Sequence, residues 1–173
     1  RPDNYIAAIN EVARTADFDW LMLVDAGEEF TPSGLMMVAL ELVDSDGCRA
    51  VYGDELQRTA DGVLGAAFRP GFNLDMLLSF PAVMARHWLF RREILVEAGG
   101  FDARFASALE FELLLRLIEQ GGMAGFGHVD EPLLTTTAPA LIDSADEQAA
   151  LLAHLQRRGY SEARLLPGLP GRY

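Results

Sequence analysis

The chain has 173 residues, of which 50% are hydrophobic and 23% are charged, with 16 Gly and 8 Pro. This composition excludes a mainly disordered or collagen-like protein, and the length predicts one domain with a substantial core. The 26 acidic and 14 basic residues give a net charge of −12, which disfavours nucleic-acid binding because phosphate contacts require Lys and Arg. The single cysteine, Cys48, excludes an internal disulfide, and no apolar run is long enough to span a bilayer. We therefore expect a cytoplasmic protein that at most associates peripherally with a membrane.

The first part of the chain alternates predicted helices and strands. Arg1–Ala16 has apolar residues at helical spacing, and Trp20–Val24 is a continuous apolar run typical of a strand buried in a parallel sheet. Thr31 and Pro32 favour the start of a helix. We predict that the buried stripe of this helix is Leu35, Val38, Ala39, Leu42 and Val43. A second strand is predicted over Arg49–Glu55.

The middle of the chain continues the alternation. The predictions are, in order, a strand over Val63–Phe68, a short helix over Phe72–Ser79, a strand over Val83–Arg91, helices over Arg92–Ala98 and Ser107–Gln120, and a strand over Gly125–Val129. Ser107 and Glu110 have capping-box spacing, so Glu110 is predicted to bond back to the first amide of its helix. Strands that alternate with helices indicate a layered α/β fold.

The character of the sequence changes after Glu131. Ser144 and Glu147 have capping-box spacing and predict a helix over Ser144–Arg158. Leu165–Tyr173 contains two Pro-Gly pairs and is typical of a linker. We therefore divide the chain into a core, residues 1–135, and a terminal helix with a linker, residues 136–173.

Acidic residues follow two of the predicted strands. Asp25, Glu28 and Glu29 come after the first strand, and Asp54 and Glu55 close the second. Ligands of open α/β sheets bind at the carboxyl ends of strands, and carboxylate oxygens suit a hard divalent cation that can hold a diphosphate. The alternative interpretation is an acidic surface that serves solubility.

Among the arginine and histidine side chains, few are candidates for binding a ligand or a metal ion. Arg69 suits a diphosphate because guanidinium groups match phosphate oxygens, and the alternative is a surface ion pair with one of the many acids. His87 and His128 lie in strand-like segments, where lone histidines are typical packing residues, and no His-Cys spacing indicates zinc.

Five stretches resemble, in order and with similar gaps, the second half of a family 2 glycosyltransferase with the GT-A fold. They read DWLMLVDAGEEFTPSGL, VYGDEL, FRPGFNLDMLLS, LFRREILVEAGGFDARF and LEFELLLRL, and the resemblance covers most of residues 1–135. The closing LLPGLPGRY is similar to the segment that joins glycosyltransferase modules in bacterial multi-domain members. The resemblance implies a partial Rossmann-like sheet with flanking helices that lacks the amino-terminal nucleotide-binding strands.

The resemblance also implies an activity, the transfer of a sugar from a nucleotide-sugar donor to a glycan acceptor hydroxyl in bacterial polysaccharide synthesis. Glu110 matches the catalytic base, which takes the proton of the acceptor hydroxyl. Asp25 matches the first acid of a metal-binding Asp-x-Asp motif, so we expect Asp25 and Glu28 to hold Mg²⁺ or Mn²⁺. The expected donor and diphosphate contacts are Asp25, Asp54, Glu55 and Arg69.

Three positions depart from the family pattern. Gly27 stands where the second acid of the metal motif is expected, Leu109 replaces the acid before the base, and Thr135 replaces a histidine. The alternative function is therefore a non-catalytic scaffold or acceptor-binding module. Because a missing donor half would leave a sheet edge open, we also expect a homodimer or a neighbouring glycosyltransferase domain.

Overall fold

The computed structural model describes residues 4–43, 45–166 and 168–173. The helices in this part of the chain are α1 (Tyr5–Thr15), α2 (Pro32–Val43), α3 (Leu74–Ser79), α4 (Pro81–Met84), α5 (Arg92–Glu97), α6 (Leu109–Gly121) and α7 (Ala145–Arg157). The strands are β1 (Trp20–Met22), β2 (Glu29–Phe30), β3 (Ala50–Arg58), β4 (Leu64–Ala67), β5 (Leu89–Arg91) and β6 (Phe126–Thr137). A 3₁₀ turn covers Ala103–Phe105.

The strands form one mixed sheet in the order β1-β5-β3-β6-β2, with β4 paired to β3. β3 is central, since it pairs in parallel with β6 and antiparallel with β4 and β5. The register between β3 and β6 shifts on both sides of Asp54, which lies opposite Pro132, a residue that has no N–H to donate. The sheet with its flanking helices confirms the predicted α/β fold class.

The main core joins the sheet to α6 and fixes the backbone on which the site is built. Trp88 packs against Tyr52 with ring centroids 4.3 Å apart and against Phe90 at 6.4 Å. From the helix side, α6 buries Phe111 in its first turn together with several leucines. The segment before β5 and the start of α6 are therefore held together by apolar packing.

Two predicted strands differ from the structure. β1 is half-buried and lies at the sheet edge, antiparallel to β5, so the prediction of a strand buried in a parallel sheet is wrong. An apolar run alone does not specify which neighbours cover a strand. The strand predicted over Val83–Arg91 forms only at Leu89–Arg91. Pro81 starts α4 instead, and His87 adopts a φ of 56°, in the left-handed region.

The predicted buried stripe of α2 is confirmed at Val38 and wrong at Leu35 and Val43. Gly34 and Val38 are buried, whereas Leu35 is 51% exposed and Val43 75% exposed. Gly34 allows close approach to β6, because a Cβ at this position would meet the carbonyl oxygen of Pro132. Apolar residues lie on all sides of this helix, so its sequence did not determine which face is buried.

The carboxyl-terminal segment packs onto the rest of the chain. Ser144 caps α7 by accepting a hydrogen bond from the Glu147 N–H, as predicted. The backbone N–H of Tyr173 donates to Ser79 at 3.1 Å, and Arg172 lies over the ring of Phe80. None of the helices in the described ranges is both long enough and apolar enough to cross a membrane.

Candidate active site

A cleft of about 580 Å³ opens beside the start of α6. Its walls come from α1, the residues after β1, the segment from α4 to His87, and the loop that precedes α6. Asp25 and Glu110, which are 85 positions apart in the chain, both line this cleft. The structure therefore brings together two of the side chains that the sequence singles out.

Glu110 is held by backbone groups from another segment. The N–H of Trp88 donates to Oε1 at 2.8 Å, and the N–H of His87 donates to Oε2 at 3.2 Å. The predicted capping box is wrong: Ala108 occupies the N-cap of α6 without a side-chain bond. The left-handed turn at His87 places two successive N–H groups beside the carboxylate, and these replace the local partner.

The surroundings of Glu110 change its acidity. Desolvation raises the pKa of Glu110 from 4.5 to about 7, against the opposing effects of the Trp88 and His87 hydrogen bonds and of the charges on His87 and Arg69. The side chain keeps a partly exposed surface in the cleft. A carboxyl with a pKa near neutral pH is suited to proton transfer with a bound group.

His87 connects three acidic side chains. Its Nδ1 lies 2.8 Å from Oε1 of Glu55, and its Nε2 lies 2.9 Å from Oε2 of Glu28, while its backbone holds Glu110. Sequence reasoning assigned His87 to packing and missed this role. The available signal was weak, since a positive φ and partners 32 and 59 positions away leave no local pattern.

Glu28 is engaged by positive groups and donors within the protein. Oε1 accepts from Arg86 at 3.1 Å, and Oε2 lies 2.9 Å from His87 and accepts from the backbone N–H of Asp25 at 2.8 Å. Within the described residues, no group of three or more His, Cys, Asp or Glu is arranged to hold a metal ion. A guanidinium beside Glu28 does not suit a divalent cation. This arrangement does not fit the expected Asp25–Glu28 cation.

Glu55 and Arg69 form a buried pair, with exposures of 1% and 5%. Burial would raise the pKa of Glu55, but the His87 hydrogen bond and the charges of Arg69, His87 and Arg86 lower it to about 2. Arg69 donates from Nε to Gly53 at 2.7 Å and from Nη1 to the carbonyl of Arg86 at 2.8 Å. Its Nη2 lies 3.3 Å from Oε1 of Glu55. Arg69 thus joins β3 to the segment that carries His87.

Asp54 is also buried, but its side chain contacts the Arg69 backbone and His128. Its Oδ1 accepts from the backbone N–H of Arg69 at 2.8 Å and lies 3.1 Å from Nε2 of His128. The ring of His128 in turn stacks on Tyr52. Asp54, Glu55 and Arg69, the expected diphosphate contacts, are buried, with exposures of 4%, 1% and 5%, and are not among the residues that line the cleft of Asp25 and Glu110. Glu55 contacts His87 and Arg69 contacts Arg86, and these two partners line the cleft.

The three positions that depart from the family pattern have structural roles. Gly27 has a φ of 96°, which the turn after β1 requires and which a side chain would disfavour. Leu109 is buried in the core, and Thr135 pairs with Glu29 between β6 and β2. The adjacent Thr136 donates to Oε2 of Glu55 at 2.9 Å.

The chain was compared with protein-family models, curated proteins and solved structures. No family model matches the chain. The chain is 32% identical over 166 residues to the O-antigen biosynthesis protein RfbC of Myxococcus xanthus, and this match covers 89% of the chain. It spans only 13% of the length of that relative.

A solved structure shares the architecture. The chain superposes on mannosyl-3-phosphoglycerate synthase from Rubrobacter xylanophilus with a TM-score of 0.52, at 15% sequence identity. The match covers 96% of this chain and 59% of that protein. The chain therefore has a glycosyltransferase-like fold, in which a mixed sheet with flanking helices carries the cleft of Asp25 and Glu110.

Proposed function

We propose that this chain transfers a sugar from a nucleotide-sugar donor to a hydroxyl of a glycan acceptor, as the carboxyl-terminal part of a family 2 glycosyltransferase module. The observation that carries the proposal is Glu110, which lines the cleft and has a pKa of about 7. The similarity to RfbC, a protein named for O-antigen biosynthesis, supports a role in polysaccharide synthesis. The glycosyltransferase-like fold supports the reaction class.

In the proposed reaction Glu110 acts as the general base. It accepts the proton of the acceptor hydroxyl while the hydroxyl oxygen bonds to the anomeric carbon of the donor sugar. The bond from that carbon to the diphosphate oxygen breaks, and the nucleoside diphosphate leaves. The two N–H groups of His87 and Trp88 hold the carboxylate in one orientation, which favours proton transfer at a fixed atom.

Charge in the cleft suggests where the leaving group lies. Arg86 lines the cleft beside His87, and its guanidinium is 3.1 Å from Glu28. Guanidinium groups stabilise phosphate oxygens, so we assign the diphosphate to the part of the cleft at Arg86. Asp25 then contacts the donor, as the family resemblance implies.

The experiment measures the turnover of labelled sugar from uridine diphosphate sugars and guanosine diphosphate sugars to a panel of oligosaccharides. Glu110→Gln should reduce turnover by at least about 100-fold, because it removes the base. Glu93→Gln, on the exposed side of α5, is the matched control and should retain full turnover. Equal turnover by wild type and Glu110→Gln would refute the assignment of the base.

A second candidate function is a non-catalytic acceptor-binding module. It is favoured by the engagement of Glu28 with Arg86 and His87 and by Gly27, which provides no carboxylate at the motif position. This module would bind oligosaccharides without consuming any donor. Oligosaccharide binding together with no transfer from any donor would therefore select the second candidate.

A further inference from the structure

The start of α7 is fixed to the loop that leads into the Glu110 helix. Oδ2 of Asp146 accepts from both the backbone N–H and the hydroxyl of Ser107, each at 2.8 Å. Tyr5, at the start of α1, donates from its hydroxyl to the carbonyl of Ala106 at 3.0 Å. Two distant parts of the chain thus meet at Ala106 and Ser107, just before the first turn of α6, which carries Glu110.

Glu147 follows Asp146 and lines the same cleft as Glu110. The hydroxyl of Tyr173 donates to Oε2 of Glu147 at 2.9 Å, and the backbone N–H of Ser144 donates to the Tyr173 oxygen at 3.0 Å. Across residues 4–43, 45–166 and 168–173, no donor forms a hydrogen bond to Oε1 of Glu147. Glu147 is therefore held through Oε2, and the residue lines the cleft.

Tyr173 is suited to holding this carboxyl. Desolvation raises the pKa of Tyr173 to about 12, so its hydroxyl stays protonated and donates at neutral pH. Burial also raises the pKa of Glu147, against the effect of the Tyr173 hydrogen bond. The Glu147 side chain does not accept the capping-box hydrogen bond from the Ser144 N–H, which donates to Tyr173 instead. The Glu147 carboxyl therefore does not cap α7.

Part of the wall of the cleft that Glu147 lines is apolar. Tyr5 and Ile9 from α1 line the cleft together with Leu109 and Phe111. Sugars present a C–H face that packs on apolar and aromatic groups and hydroxyls that bind carboxylates, and such mixed walls are typical of small-ligand sites. Because Arg86 is assigned to the diphosphate, we assign Glu147 to the acceptor, since the adjacent Asp146 ties this part of α7 to Ser107 in the loop before Glu110.

We propose that Glu147, positioned by Tyr173, forms an acceptor subsite for a neutral sugar, in which its carboxylate accepts hydrogen bonds from acceptor hydroxyls. The inference rests on the proposed function and adds the chemical class of the acceptor. A carboxylated or phosphorylated sugar would place like charge beside Glu147 and Glu110, so such acceptors are excluded. Glu147 binds the acceptor, and Tyr173 is a positioning residue.

The first experiment is binding, which requires no transfer. Neutral oligosaccharides are titrated into the wild-type chain, Glu147→Ala and Tyr173→Phe by NMR, with Glu162→Ala as a control on an exposed residue. We expect Glu147→Ala to weaken binding at least about 10-fold and Tyr173→Phe to weaken it about 3-fold. Equal affinities of all variants, or equal binding of neutral and carboxylated sugars by the wild type, would overturn the inference.

The second experiment separates the subsite from the reaction. Where the chain transfers sugar, Glu147→Ala and Tyr173→Phe should raise KM for the acceptor and leave kcat and the KM for the donor within about 2-fold. Glu110→Gln should instead lower kcat. Absence of transfer by the wild type would defeat the proposed function while the binding titration still decides the subsite. A fall in kcat without a change in acceptor KM would overturn the role of Glu147.

Discussion

Replacement of Glu110 by Gln tests the raised pKa of this carboxyl, because the amide does not ionise. The pKa of Glu110 rises from 4.5 to about 7, so the unfolded chain releases this proton at a lower pH than the native chain does. Between these values the native state binds more protons, and its free energy of unfolding falls as pH rises. At about 1.4 kcal/mol per pKa unit the loss reaches about 3 kcal/mol above neutral pH, and exposure to water in the cleft lowers it toward about 2 kcal/mol.

The assay is urea unfolding of wild type and Glu110→Gln at intervals from about pH 4 to about pH 8. We expect the difference between their free energies to change by about 2–3 kcal/mol over this range and then to level off. Loss of the carboxylate as an acceptor adds an offset that does not vary with pH. Glu93→Gln controls for the change in net charge. Parallel curves for wild type and Glu110→Gln would refute the desolvation of Glu110.

Three further predictions concern the groups around the cleft. His87→Ala removes the partner that Glu55 and Glu28 share and should lower the free energy of unfolding by about 3 kcal/mol in urea titration; a loss below about 1 kcal/mol would contradict the buried bridge. Because the pKa of Glu55 is lowered to about 2, its ionised form stabilises the native state above the ordinary value of 4.5, and this stability is lost as the pH falls toward 2. Glu55→Gln should therefore flatten the acid-unfolding curve, and an unchanged curve would count against the network. Gly34→Ala places a methyl group against the carbonyl of Pro132 and should cost about 1–3 kcal/mol; a melting temperature equal to that of wild type would disprove this close approach.

Features that depend on neighbouring residues could be predicted from the sequence. Ser144 caps α7 because its partner N–H is three positions away, and Arg92–Glu97 forms the helix expected before the two glycines. The alternation of helices and strands was sufficient to identify the α/β class. The buried face of α2 was not predictable, since apolar residues such as Met36 and Val38 lie on opposite sides of the helix and only contact with β6 selects between them.

In the candidate site, too, features set by contacts between distant segments could not be predicted from the sequence. The sequence resemblance selected Glu110 and Asp25, and both line the cleft. The local capping pattern gave Glu110 the wrong partner, because two N–H groups from the left-handed turn at His87 are not visible in the residues around Glu110. The burial of Asp54 and the bridge from His87 likewise depend on contacts between segments distant in the chain.

The cleft has a consequence for the order of events on the ribosome. Tyr5 and Glu147 contribute to one wall, although 142 positions separate them in the chain. The sheet and α6 precede α7, so a partly synthesised chain can bury Trp88 and Phe111 before Glu147 has emerged. During translation the core residues of the sheet and α6 therefore emerge first, and the last part of the cleft wall, together with the α7 residues Ala150 and Leu151 of the core, emerges afterwards.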